Sequence, residues 1–191
     1  MLLKAIPLLE LPLLIALVLS RSILLRRQGV KAVVFGKTDK SDFLLLPVIL
    51  LFVYSLLAAL FGLPFPALLL RPFWQAVFTD CIAVALCTGS LVWFALTLKA
   101  FGRSFRVGID EGTRDELITD GTFSLSRNPL YVAFIAFFLG FFLSAPNCMS
   151  ALFLLFLTTM VHRQILREKK FLAAHYGAAY EQYCARVRRY L

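Results

Sequence analysis

Apolar runs of bilayer-crossing length alternate with short polar, mostly basic segments along the whole 191-residue chain. Crossing the hydrocarbon core as a helix takes about 20 predominantly apolar residues. The pattern predicts five spans, Ile6–Leu25, Phe43–Leu63, Phe73–Ala100, Leu130–Leu143 and Cys148–Leu166. Pro64 and Pro66 break the helix after the second span, and the third is long enough to tilt or project. The apolar run from Leu130 to Phe156 is divided by Ser144-Ala145-Pro146-Asn147, which reads as the turn of a tight helical hairpin. Its first arm is short for a full crossing and needs neighbours to shield its ends. The fifth span continues into the polar stretch RQILREKKFL, and Gly177 marks a stop. A last amphipathic helix is expected over Ala178–Val187. Tyr176, Tyr180 and Tyr183 share one face there, as aromatics lying along the membrane interface would. The fold class is an all-α integral membrane protein.

Composition supports that reading, with 60% hydrophobic and 16% charged residues. The formal net charge of +9 would suit nucleic acid, but its placement does not. Lys and Arg lie next to the apolar spans, where topology and anionic headgroups account for them. With five spans, alternate loops put Arg21–Lys40, Lys99–Arg127 and Arg163–Arg189 on one side of the membrane. Those segments hold 6, 5 and 7 basic residues, 18 of the 20, and only Lys4 and Arg71 fall opposite. The positive-inside rule therefore places the N-terminus outside and the C-terminus in the cytoplasm. Glu10 interrupts the first apolar run and no small-residue cleavage site precedes the arginines, so that run reads as a retained span rather than a signal peptide. Cys81, Cys87, Cys148 and Cys184 have no metal-ligand spacing, and no metal site is expected.

Polar chemistry is concentrated in two segments assigned to the cytoplasmic side. The first, Phe101–Tyr131, ends in GTFSLSRNPLY, whose grammar is that of a helix start. Asn128 suits the N-cap, Pro129 the first helical position, and Gly121 an unusual backbone angle that turns the chain back. The unpaired N–H groups of a helix N-terminus can hold an anionic group. The second segment is His162–Leu191. Taken alone, Glu168 there reads as a solvated charge paired with Arg163 or Arg167, and His162 as an interfacial helix residue. Asp80 reads as a snorkelling interface residue.

Together these segments resemble the isoprenylcysteine carboxyl methyltransferase and phospholipid methyltransferase family. The first matches its G-x-Y/F-x-x-x-R-H/N-P-x-Y signature. The second matches its E-E-x-x-L-x-x-x-F-G-x-x-Y-x-x-Y tail through Glu168, Leu172, Gly177, Tyr180 and Tyr183. The apolar pattern gives three N-terminal transmembrane helices over residues 1–100, and the resemblance implies a catalytic region over 101–191. It implies a cytoplasmic S-adenosylmethionine pocket built by the loop before the fourth helix and the C-terminal tail, with S-adenosylhomocysteine as product. By the same match, Glu116, Leu117, Ile118, Phe123, Asn128, Pro129, Tyr131 and Glu168 are the cofactor-binding residues. Arg163 and Arg167 are the substrate-binding candidates, and Arg163 and Glu168 the catalytic pair. Three departures matter: Asn128 stands where His is commoner, Lys169 replaces the second tail acid, and Gln164 stands where some relatives have a substrate-binding Arg.

Transfer of a methyl group from a sulfonium to a carboxylate removes two opposite charges, so a dry pocket and in-line placement suffice and no base is obligatory. An amine acceptor would require a base to keep it neutral. The basic Arg163 and Arg167 neighbourhood favours an anionic acceptor. The expected function is methylation of a prenylated cysteine carboxylate or similar amphiphile entering from the bilayer. Phospholipid amine N-methylation is the alternative. An NADPH-linked reductase related to sterol reductases, and a non-enzymatic membrane scaffold, represent other classes. The partners expected are a lipid-like acceptor and membrane lipid, without nucleic acid or metal.

Overall fold

A computed structural model of the chain describes residues 2–27, 45–101 and 117–191. Among them every regular element is helical. The elements are α1 (Leu2–Arg27), α2 (Leu45–Phe61), α3 (Ala67–Leu70), α4 (Val77–Phe101), α5 (Pro129–Ser144), α6 (Cys148–Tyr176) and α7 (Ala178–Arg186), with a 3-10 turn at Gly121–Ser124. Three helices, α1, α4 and α6, are long and apolar enough to cross a membrane, whereas α2 and α5 are shorter apolar helices. At about 1.5 Å per residue, the 17 residues of α2 and 16 of α5 extend roughly 25 Å, less than the core thickness of about 30 Å. The 29 residues of α6 reach roughly 43 Å, so its polar second half extends past its apolar first half.

Side-chain size sets how closely the helices approach. Gly140 of α5 lies against α4 so closely that an added Cβ would stand 2.7 Å from Cys87 Sγ and 2.9 Å from the Ala83 carbonyl. Large aromatic side chains fill the space around that contact. Phe52 of α2 stacks on Phe153 of α6 at 4.0 Å and meets Phe141 of α5 edge-on at 5.6 Å. Phe138 lies 5.0 Å from Phe153. The phenylalanine-rich α5 thus supplies packing surface to helices on several sides. Leu14, Phe94, Leu98, Ala133 and Phe137 complete the buried cluster. A polar contact lies beside it: Thr88 Oγ1 of α4, on an exposed residue, donates to Glu10 Oε1 of α1 at 2.6 Å. Glu10 is only 8% exposed, and its Oε2 has no hydrogen-bond partner.

The expected break falls between Ser144 and Cys148. Asn147 caps α6 with a reciprocal pair: its side chain accepts from the Ser150 N–H at 3.0 Å, and Ser150 Oγ accepts from the Asn147 N–H at 3.2 Å. Gly177, at φ +52°, separates α6 from α7. That turn puts Tyr176 on a different helix from Tyr180 and Tyr183, which are buried at 5% and 3% exposure. The tyrosine face of α7 is therefore turned into the protein. The expectation that it lies along the membrane interface does not hold, because the shared face found a packing partner instead.

Candidate functional site

Three helix ends converge on the segment before α5. Gly121 takes φ +60°, and a Cβ added there would stand 3.3 Å from Ala100 Cβ, so the 3-10 turn lies against the end of α4. The Phe123 ring meets Phe101 edge-on at 4.6 Å, and its carbonyl accepts from Tyr183 Oη of α7 at 2.7 Å. Phe123 is thereby buried, its ring engaged by α4 and its backbone by α7. Pro129 occupies the first turn of α5 as expected and is fully buried, its carbonyl accepting from Trp93 Nε1 at 3.0 Å. Leu117 and Ile118 are half-buried immediately before the turn. Glu116 lies outside the described residues.

Asn128 stands at the N-cap of α5 but makes no side-chain capping bond. Its Nδ2 donates to the Arg189 carbonyl at 2.9 Å, and its own N–H is taken by Ser126 Oγ at 3.1 Å. The expectation of side-chain capping is corrected on this point. An amide has several bonding options, and here a carbonyl of the C-terminal tail competes successfully with the helix start.

One turn further along α5, Tyr131 reaches across to α6. Its hydroxyl donates to Glu168 Oε1 at 2.5 Å, the short distance of a bond to a carboxylate. Gln164, one turn before Glu168 on the same face, donates to that oxygen at 2.9 Å. Both bonds fall on Oε1, leaving Oε2 as the oxygen that takes neither. Arg163 is exposed and Arg167 half-buried. Each already has a protein contact. On the helix Arg167 projects about 100° and Arg163 about 140° from Glu168, so neither shares its face. Gln164, noted from sequence only as a departure, is the residue that touches Glu168.

Beneath α7 lies a second polar cluster. Arg127 Nη1 donates to Cys184 Sγ, and the Arg127 N–H donates to the Arg188 carbonyl at 2.9 Å. Burial first, and then the adjacent Cys184 thiol, pushes the Tyr180 phenol up to about 12, with the Arg127 guanidinium acting against them. Burial also raises Tyr183. Two atoms here are buried without a hydrogen-bond partner, Thr122 Oγ1 and Arg127 Nε. Trp93, Ser126, Arg127 and Arg189 were not foreseen as site residues. Tyr183 was visible only as part of the tail spacing. Among the described residues no group of three or more His, Cys, Asp or Glu could hold a metal ion.

The family model of phospholipid methyltransferases matches residues 77–179, from the start of α4 into α7. The protein-S-isoprenylcysteine O-methyltransferase of Schizosaccharomyces pombe is 30% identical over 128 residues, covering 65% of this chain and 53% of that protein. The chain thus spans about half the length of the curated relative it matches. No solved structure matches the chain significantly. A match over more than half of the sequence, taking in the first polar segment, the hairpin and the second polar segment as far as residue 179, places this chain in the phospholipid methyltransferase family.

Proposed function

We propose that the protein is an integral-membrane, S-adenosylmethionine-dependent methyltransferase whose acceptor is an amphiphile, foremost a prenylated cysteine carboxylate. The observation that carries this reading is the 2.5 Å bond from Tyr131 to Glu168, which joins the two motif segments at one place. The residues present fit the cofactor. Glu168 suits its ammonium group, and the first turn of α5 offers the Leu130 N–H to its carboxylate, since Pro129 has none and that of Asn128 goes to Ser126 Oγ. The unpartnered Thr122 Oγ1 and Arg127 Nε supply a neutral and a cationic polar atom for further contacts. When bound, the cofactor supplies an electrophilic methyl group on a sulfonium.

The chain's own part is binding, alignment and exclusion of water. Glu168, held by Tyr131 and Gln164, fixes one end of the ligand, and the buried wall of Phe123 and Pro129 limits solvent around it. An arginine from the second half of α6, with Arg167 beside Glu168 and Arg163 further round the helix, orients an acceptor carboxylate. With the cofactor bound, transfer of its methyl group to a carboxylate would cancel two opposite charges, so the chain's contribution would be a dry site that favours this cancellation. The five-span topology, with N-terminus outside and site cytoplasmic, belongs to the same proposal.

Phospholipid amine methylation is the second reading, favoured by the family model itself. Membranes containing the protein are offered labelled S-adenosylmethionine with acetyl-farnesylcysteine or phosphatidylethanolamine. Base-labile label on the farnesylcysteine supports the ester reading, and base-stable label on the phospholipid selects N-methylation. Label on neither, with NADPH rather than S-adenosylhomocysteine stabilising the protein, overturns both.

A further inference from the structure

The last residues of the chain lie beyond the family match, which ends at residue 179. After α7 they run back over the segment that precedes α5. Three bonds tie them there: the Arg127 N–H to the Arg188 carbonyl at 2.9 Å, Asn128 Nδ2 to the Arg189 carbonyl at 2.9 Å, and Ser126 Oγ to the same carbonyl at 3.4 Å. Ser126 is fully buried, so its hydroxyl is fixed between the Asn128 N–H and the tail. One residue on, the Tyr190 hydroxyl shares a 2.6 Å hydrogen bond with Nδ1 of His162 on α6, their rings 6.4 Å apart and 23° from parallel. The tail therefore has one end on the start of α5 and the other on α6.

We propose that Asn128 is a positioning residue: its amide latches a C-terminal strap, Arg188–Tyr190, that sets the separation of α5 and α6 at the site. Two cross-links then join these helices, Tyr131 to Glu168 directly and Asn128 to His162 through the strap. Asn128 and Tyr131 are three residues apart on α5. His162 and Glu168 are six apart on α6, a rise of roughly 9 Å. Two links at different heights restrain tilt as well as distance, which a single hydrogen bond does not. Directional bonds to backbone carbonyls suit the purpose because they hold the strap without demanding a particular side chain at position 188 or 189. Holding the Tyr131–Glu168 pair in register before a ligand arrives reduces the ordering cost of binding. This last consequence rests on the methyltransferase reading. The latch itself does not.

The test uses the full chain in nanodiscs with Asn128→Ala, Tyr190→Phe and the double variant. Without ligand, hydrogen exchange at the Arg127 amide reads the near end of the strap. It should quicken several-fold in Asn128→Ala and also in Tyr190→Phe, although Tyr190 does not touch that amide. With ligand, each single change should weaken S-adenosylhomocysteine binding by about three- to tenfold, the range of one or two ordinary hydrogen bonds. The double variant should lose less than the product of the two, because both act through one strap. Asn128→Asp keeps the shape and loses the donor, so it should follow Asn128→Ala and serves if the alanine variant does not fold. Unchanged Arg127 exchange in Tyr190→Phe, or fully multiplicative losses, overturns the latch. A wild-type protein that binds no S-adenosylhomocysteine overturns the methyltransferase reading instead, and the exchange result alone then decides the latch.

Discussion

Replacing Glu168 by Gln changes charge with little change of shape. Tyr131 at 2.5 Å and Gln164 at 2.9 Å both donate to Oε1, and the amide oxygen of glutamine can accept in the same place. Both bonds survive but lose their charge assistance. A hydrogen bond to a charged group is worth about 1.5–3 kcal/mol against about 0.5–1.5 for a neutral one, so with two bonds the ceiling on the loss to the fold is about 2–3 kcal/mol. Desolvation of the Glu168 charge works against it in the fold, so the loss should fall well below that ceiling. The larger effect should fall on the ligand. An ammonium group facing Glu168 loses a charged partner worth about 1.5–3 kcal/mol, which weakens S-adenosylhomocysteine binding by about ten- to a hundredfold. Glu168→Asp should fall between, since its carboxylate is withdrawn by one methylene. Tyr131→Phe should lower affinity less, because it frees the carboxylate without removing it. Calorimetric titration of each variant, beside its thermal unfolding, separates the two effects. Unchanged affinity in folded Glu168→Gln protein would falsify the assignment of Glu168 to the cofactor.

Other consequences follow from packing and burial. Gly140→Ala puts a methyl 2.9 Å from the Ala83 carbonyl, so α4 and α5 must separate; a net loss of about 1–3 kcal/mol is expected, and an unchanged melting temperature in detergent would contradict the close approach. Thr88→Val leaves Glu10 buried with neither oxygen bonded and should cost about 1–3 kcal/mol, while Thr88→Val with Glu10→Leu should recover most of it; equal losses in both would show that the contact is unimportant. Tyr180, raised to about 12 from 10.0, favours the folded state when protonated. That contribution is complete below pH 10.0 and is lost as pH rises towards about 12, so tyrosinate absorbance from Tyr180 should appear above that of exposed tyrosines, and Tyr180→Phe should reduce this late absorbance to that of Tyr183. A cysteine at position 147 should label only from outside the cell, and labelling from the cytoplasm would overturn the proposed topology.

What was legible in sequence divides by the range of the interaction. The turn at Pro146-Asn147, the stop at Gly177 and the reversal at Gly121 obey local backbone rules, and the helices begin and end there. Each of the five apolar runs forms a helix, but α2 is shorter than its predicted segment Phe43–Leu63 and α5 is short as expected, so length and composition single out three. The Tyr131–Glu168 contact joins positions 37 apart and was accessible only through motif spacing. Periodicity gives Tyr180 and Tyr183 a common face but not what that face meets; both are buried, and Tyr183 bonds the Phe123 carbonyl. Asn128 has the chemistry of a cap, but local grammar cannot register a competing carbonyl 61 residues away. The strap was illegible for a related reason: its acceptors are main-chain carbonyls, which every residue carries.

The central claim is that the segment before α5 and the second half of α6, closed by the tail, enclose one S-adenosylmethionine site. Photo-crosslinking of labelled S-adenosylmethionine to the protein in membranes, followed by peptide mapping, tests it most directly. Label should appear on peptides from both 117–131 and 162–190 and be displaced by S-adenosylhomocysteine but not by NADPH. Label confined to one segment, placed in α1 or α2, or displaced by NADPH would contradict it.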